Sequence, residues 1–227
     1  LAARCVEEPA PGHWPAPEIA LPDGSTVRAD APDAAARVSA ALDHPVTLWP
    51  RQPASDREHY RRGAPDHADM LTELRAIFGR TPDEPLPDLA QFPPEVLEYE
   101  SPPGTYFDAH PLLLLTDATL RRLQALAPAS RVDVRRFRPN LVVASLPGAE
   151  GFVEQAWIGR RIAAGEAELE IVAGCPRCVM ITHAFADLPR DPGLMRTVVK
   201  EADQNVGVYA RVTTPGRVAT GDGVQLS

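Results

Sequence analysis

The sequence predicts a mainly β fold with a few short helices, α+β overall. Three observations carry this. The C-terminal stretch is a series of short apolar runs separated by Gly and Pro turns, the pattern of a barrel or sandwich. Within it, Glu166 to Val172 sets Ala167, Leu169 and Ile171 against Glu166, Glu168 and Glu170, the period-two alternation of a half-exposed strand. Proline is abundant, 25 residues, and twelve of them fall in two clusters, Pro9 to Pro22 and Pro82 to Pro103. Proline removes a ladder donor and breaks helices, so these clusters should be extended connections.

The elements follow in order. Ile19 to Val27 reads as a hairpin about the Asp23-Gly24 turn. Asp33 to Leu42 reads as a short helix, with Ala34, Val38 and Leu42 at the helical period. Val46 to Leu48 reads as a brief strand. Asp66 to Phe78 has the clearest helical stripe, Met70, Leu71, Leu74, Ile77 and Phe78, and Gly79 stops it. Pro82 to Gly104 should be a loop, either ordered over the surface or mobile, with Leu89, Phe92, Val96, Leu97 and Tyr99 as anchors. Leu112 to Leu115 reads as a buried strand running into an N-cap at Thr116-Asp117. Leu120, Leu123, Leu126 and Ala127 share one face of the helix that follows. Leu141 to Val143, Val179 to Thr182 and Val206 to Val212 are further strands, and Leu194 to Ala202 a short helix. Pro215-Gly216 and Gly221-Asp222-Gly223 mark tight turns.

A length of 227 residues suits one or two domains at roughly 150 residues each. No apolar run approaches the roughly 20 residues of a membrane helix, so no span is expected. The net charge of −8 argues against nucleic acid, whose phosphates demand basic clusters. The nearest basic patch is Arg131, Arg135, Arg136 and Arg138. It suits a small anion, or it is a solvated face paired with some of the 31 acids. Three cysteines, Cys5, Cys175 and Cys178, make an odd set and point to a reducing, cytoplasmic setting. No signal peptide is read. The chain starts at Leu1 in what reads as domain interior, so further sequence is expected upstream.

Cys175-Pro-Arg-Cys178 is the sharpest feature. A thiolate is both nucleophile and soft-metal ligand. A zinc site wants four ligands and usually two such pairs. A thioredoxin-like motif wants its first cysteine at a helix N-terminus, whereas a strand is expected after Cys178. One thiolate completing a multidentate cofactor, and two small buried apolar residues, are the remaining readings. Arg138-Pro-Asn140 can present a fork of donors to phosphate, or Asn140 can cap a turn. Asp108 and His110 precede the Leu112 strand, and Tyr209 lies within another. Each could border a pocket or be an ordinary loop or strand residue.

Taken together, Arg136-Phe-Arg-Pro-Asn-Leu-Val-Val143, Phe152-Val-Glu154, Trp157-Ile-Gly159, Cys175-Pro-Arg-Cys178, Val206-Gly-Val-Tyr209 and Gly216 to Asp222 resemble the MOSC domain, named for the C-terminal domain of molybdenum-cofactor sulfurase. The resemblance runs from roughly Phe107 to Ser227. Upstream, Pro22-Asp-Gly24 and Asp30 to Leu42 resemble the latter part of the β-barrel domain that often precedes it. The family's opening Tyr-Pro-Val-Lys-Ser-type segment is not among these residues. Residues 1–104 are thus expected to be a partial N-terminal β-barrel-like region with its Pro-rich linker, and 105–227 a MOSC β-barrel.

The resemblance implies a molybdenum cofactor (Mo-molybdopterin) whose metal takes Cys178 as its protein ligand. Arg138 and Arg177 would compensate its charge, and Arg177 would favour the thiolate of Cys178. Asn140 and Tyr209 would bond pterin or phosphate, and Asp108 and His110 would touch the cofactor. His110 stands where a smaller polar residue is expected, and could gate substrate or donate a proton. The implied activity is reduction of small N-hydroxylated or N-oxygenated substrates, with electrons from a ferredoxin- or cytochrome b5-like protein. The alternative is a non-catalytic cofactor or sulfur carrier working with a pyridoxal-phosphate sulfurase.

Overall fold

The computed structural model describes residues 1–8, 10 and 13–227. The chain divides into two compact units, Leu1–His59 with Pro103–Tyr106, and Tyr60–Pro102 with Phe107–Ser227. The first holds strands β1 (Ala2–Arg4), β2 (Glu18–Ala20) and β3 (Thr26–Arg28), in that order in an antiparallel sheet, then helix α1 (Ala34–Leu42) and the start of α2 (Arg57–Tyr60). Ile19 pairs with Val27 across the expected hairpin, and Asp23 accepts from Ser25 N–H at 2.9 Å to close the turn. Leu21, Val27, Ala34 and Val38 form its core. The strand expected at Val46 to Leu48 is absent. Ser39 Oγ accepts from the N–H of Val46 (2.9 Å) and donates to its carbonyl oxygen (3.2 Å), so a side chain, not a neighbouring strand, satisfies that backbone.

The second unit opens with helices α3 (Met70–Phe78) and α4 (Glu95–Glu98). Asp69 caps α3, accepting from Thr72 N–H at 2.9 Å, and Gly79 ends it at φ +60°. Next come β4 (Leu112–Thr116), α5 (Asp117–Leu126), β5 (Leu141–Val143), β6 (Arg161–Ala164), β7 (Ala167–Pro176), α6 (Pro192–Glu201), β8 (Asn205–Thr214) and β9 (Val224–Leu226). The strands form one mixed sheet, β5-β4-β8-β7-β6-β9, curled into a half-barrel. Only the β4–β5 pairing is parallel, which is why a helix, α5, must lie between them. Thr116 caps α5, as the sequence implies, accepting from Thr119 N–H. Among the described residues no helix is long and apolar enough to cross a membrane.

The sheet carries a core on each face. Leu115, Leu123, Phe137, Ile181, Leu194 and Val198 lie in one, Leu114, Ile162, Leu169, Ile171 and Val208 in the other. Adjacent Leu114 and Leu115 enter opposite cores, as strand geometry requires. Val206 and Val208 also enter opposite cores, although two residues apart. Gly207, at φ +81°, breaks the alternation between them. A Cβ there would sit 2.8 Å from the Leu114 carbonyl oxygen. Gly207→Ala should therefore cost roughly 2–3 kcal/mol, from backbone strain and the clash together, read from urea unfolding.

Val179–Thr182 is not a strand but a 3-10 turn. Its β-branched composition suggests an extended segment, but the Thr182 hydroxyl donates to Val179 O at 2.7 Å and curls the backbone.

Candidate functional site

Cys178 lies just past β7 and opens that turn in an extended conformation. Its side chain is partly exposed, makes no capping hydrogen bond, and is thereby available to a ligand. Cys175 is its opposite, buried at 3 % exposure.

Two buried guanidiniums flank this loop. Arg177, 8 % exposed, donates from Nη1 to Cys175 Sγ at 2.8 Å and from Nη2 to Phe137 O at 2.9 Å, with its guanidinium over the Phe137 ring. Its Nε has no partner. Burial works against its charged form, its electrostatic interactions with Cys175, Tyr209 and Cys178 work for it, and the net direction is upward. Arg177 stands next to Cys178 in the chain, but its side chain turns to the other cysteine. The direct bond goes to Cys175, and Cys178 is reached through the field alone. Arg80, 7 % exposed, is the second guanidinium. Burial lowers its pKa to about 10, against the opposing pull of Glu84 and Cys178, so it stays charged at neutral pH.

Tyr209 on β8 is half-buried, and its hydroxyl pKa is pushed up, first by burial and then by the neighbouring Cys175. Its ring lies 5.1 Å from that of His110, and Phe92 stands 6.1 Å from both. Burial, then Arg211, lowers the His110 pKa, so the imidazole is neutral at pH 7. Asp108 is exposed, and its charge reaches Tyr209. Tyr209 and His110 thus share one ring cluster with Phe92, which the Pro-rich segment supplies.

The arginine patch separates into three kinds of residue. Arg131 and Arg135 pair with Asp187 and Asp133 at 2.8 Å, as a solvated face would. Arg136 is buried and donates only to backbone carbonyls, those of Arg131, Ile181, His183 and Pro189. Arg138 alone is exposed without an ion pair among the described residues, at φ +55°. Asn140 is anchored to the start of β4. Its Oδ1 accepts from Leu113 N–H at 2.8 Å while its own N–H donates to Leu113 O at 2.9 Å, and its Nδ2 stays available for a ligand.

Sequence reasoning missed Arg80 and Gln204. Gln204 Oε1 accepts from Arg80 Nε and Nη2 at 3.2 and 3.1 Å across 124 positions, a separation that no local pattern reveals. Buried Glu154 was also missed. It accepts from the hydroxyls of Thr116 and Thr119 at 2.7 and 2.6 Å and so fixes the strand-to-helix corner.

The residues fit an anionic, sulfur-liganded cofactor. A buried cation is costly unless an anion compensates it. Among the described residues neither Arg80 nor Arg177 has a hydrogen-bonded carboxylate, and Arg177 Nε has no partner. Among the described residues no group of three or more His, Cys, Asp and Glu could hold a metal, so a closed zinc site has no ligand set here.

The family model for the MOSC domain matches residues 102–225, more than half of the chain. The chain belongs to the MOSC domain family. Asp108, His110, Arg138, Asn140, Arg177, Cys178 and Tyr209 all fall within the MOSC match, whereas Arg80 and Phe92 precede it. The mitochondrial amidoxime reducing component 2 of Macaca fascicularis is 34% identical over 104 residues, 46% of this chain and 27% of that protein. The mitochondrial amidoxime-reducing component 1 of Danio rerio is 41% identical over 81 residues, 34% of this chain and 22% of that protein. The MOSC chain thus spans about a quarter of the length of these curated relatives. Among solved structures, YiiM from Geobacillus stearothermophilus aligns at TM-score 0.39 and 13% identity, over 52% of this chain and 54% of that one.

Proposed function

We propose that the chain binds a molybdenum–pterin cofactor with Cys178 as the protein ligand, and reduces small N-hydroxylated compounds with electrons from a separate donor protein. One observation carries the reading: a partly exposed sulfur lies within the field of two buried guanidiniums that no bonded carboxylate neutralises. The amidoxime-reducing relatives support the reaction class.

When bound, the cofactor supplies two-electron removal of oxygen from nitrogen. The balance is one N–O bond broken, two electrons and two protons consumed, and water released. The chain's own residues bind and orient. Cys178 Sγ would occupy one coordination position, as a soft thiolate suits molybdenum. Arg177, Arg80 and the unpaired Arg138 would offset dithiolene and phosphate charge, and the planar fork of Arg138 matches phosphate geometry. Asn140 Nδ2 would donate to the cofactor, because its Oδ1 is already committed to Leu113. The Tyr209, His110 and Phe92 rings would form an apolar wall. Neutral His110 offers one N–H and one lone pair beside it.

The test is expression in a host that makes the cofactor, followed by elemental analysis and turnover of benzamidoxime with reduced methyl viologen. The expected result is close to one molybdenum per chain, with amidine formed. Zinc in its place, or no metal at all, sinks the reading. Full molybdenum without turnover leaves cofactor binding standing and removes the reductase.

A further inference from the structure

We propose that Arg80, which lies outside the matched family region, is a positioning residue for Cys178: it clamps the Cys175–Cys178 loop and gives the sulfur a positive local field toward an anionic cofactor. The inference deepens the function proposed above and rests on it for the identity of that cofactor.

The clamp is built from both ends of one helix terminus. At the end of α3, Gly79 turns the chain so closely against Val179 that a Cβ would lie 3.3 Å from the Val179 side chain. Val179 is the residue after Cys178. Arg80, the next residue along, reaches the other side of the cysteine. Its Nη2 donates to the carbonyl of Arg177, the residue before Cys178, at 3.5 Å. Gln204 closes the ring, taking the Arg80 fork on its side-chain oxygen and the Arg177 N–H on its backbone carbonyl at 3.0 Å. Cys178 is therefore bracketed by two neighbours that are both held by the end of α3.

The charge balance gives the clamp a second role. Every hydrogen-bond acceptor of Arg80 is neutral: Gln204 Oε1, the carbonyls of Phe78 and Arg177, and Met195 Sδ. The acid whose field reaches it, Glu84, is already bound by Arg196. One carboxylate thus serves two guanidiniums. A buried charge left in this state favours an anion nearby, and Cys178, the proposed cofactor ligand, lies within its field.

The test reads the potential at the sulfur directly. Iodoacetate and iodoacetamide attack the same thiolate, but only the first is charged, so their rate ratio cancels the ionisation of the cysteine. Peptide mass mapping of the purified chain without cofactor gives the ratio at Cys178, with exposed Cys5 as internal reference. The ratio at Cys178 should exceed that at Cys5. Arg80→Gln should lower it about three- to tenfold, the effect of one nearby charge in a partly screened site. Arg80→Lys should restore it, and the Cys5 ratio should not move. In the cofactor-competent host, Arg80→Gln should also load severalfold less molybdenum and shift the thiolate-to-metal absorption.

A purely structural role would lower the melting temperature of Arg80→Gln and leave the ratio alone, which overturns the proposal. A wild-type Cys178 no more biased toward iodoacetate than Cys5 overturns it as well, with no variant needed. Wild-type protein that takes up no molybdenum counts against the proposed function instead, and the alkylation ratio still decides the role of Arg80.

Discussion

Cys178→Ala is expected to abolish molybdenum-dependent turnover, by more than about 100-fold, and to bring metal content to background. Losing an outer-shell partner of a metal typically costs about 10–100-fold in affinity or activity, and losing the ligand itself costs more. The loss should be separable from misfolding. Cys178 is partly exposed and carries no structural hydrogen bond, so the variant should unfold within about 0.5 kcal/mol of the parent. Cys178→Ser should recover little, since a hard, largely protonated hydroxyl is a poor substitute for a soft thiolate. Elemental analysis, turnover and urea unfolding on the same preparations check each part. A Cys178→Ala chain that keeps its metal and its rate would dismiss this sulfur as the ligand.

The largest stability effect is expected at Arg136, with Arg136→Leu losing roughly 3–5 kcal/mol in urea unfolding. Each stranded buried acceptor costs about 1–3 kcal/mol, and this guanidinium serves four carbonyls. The bonds are 3.2 Å to Arg131, 3.1 Å to Ile181, 3.1 Å to His183 and 2.7 Å to Pro189. Three of those carbonyls belong to the chain running on from Cys178, so metal loading should fall with stability. Arg136→Lys should rescue little, because an ammonium cannot present donors in a planar fork to several acceptors at once. A leucine variant as stable as the parent would show that solvent satisfies these carbonyls.

The contrast between Arg136 and Arg138 marks how far the sequence could be read. The two are near neighbours of identical chemistry, and only the fold buries one under carbonyls and leaves the other open. Local periodicity did reveal most elements. The Asp23-Gly24 hairpin, the Thr116 cap and the alternation along β7 all rest on neighbours in sequence, and they formed as read. Where long-range partners decide, the reading failed. Val179–Thr182 has strand composition, yet the Thr182 hydroxyl curls it locally and Arg136 holds the curl by the carbonyls of Ile181 and His183 from across the unit. Cys178 is singled out by its motif, while Arg80 carries no motif at all. The direct bond of Arg177 to Cys175 depends on loop geometry that residue spacing does not encode.

The paired bonds between Asn140 and Leu113 have a consequence for how this loop can vary. They tie the end of the Phe137–Asn140 run to the start of β4, directly before β5 takes up its register of Leu114 beside Leu141. The run behaves as a spacer of fixed length. New side chains at positions 138 and 139 leave it intact, whereas one residue added or removed carries Asn140 off its anchor and slides β5 along the sheet edge. Recognition at this corner can be retuned by composition but not by length.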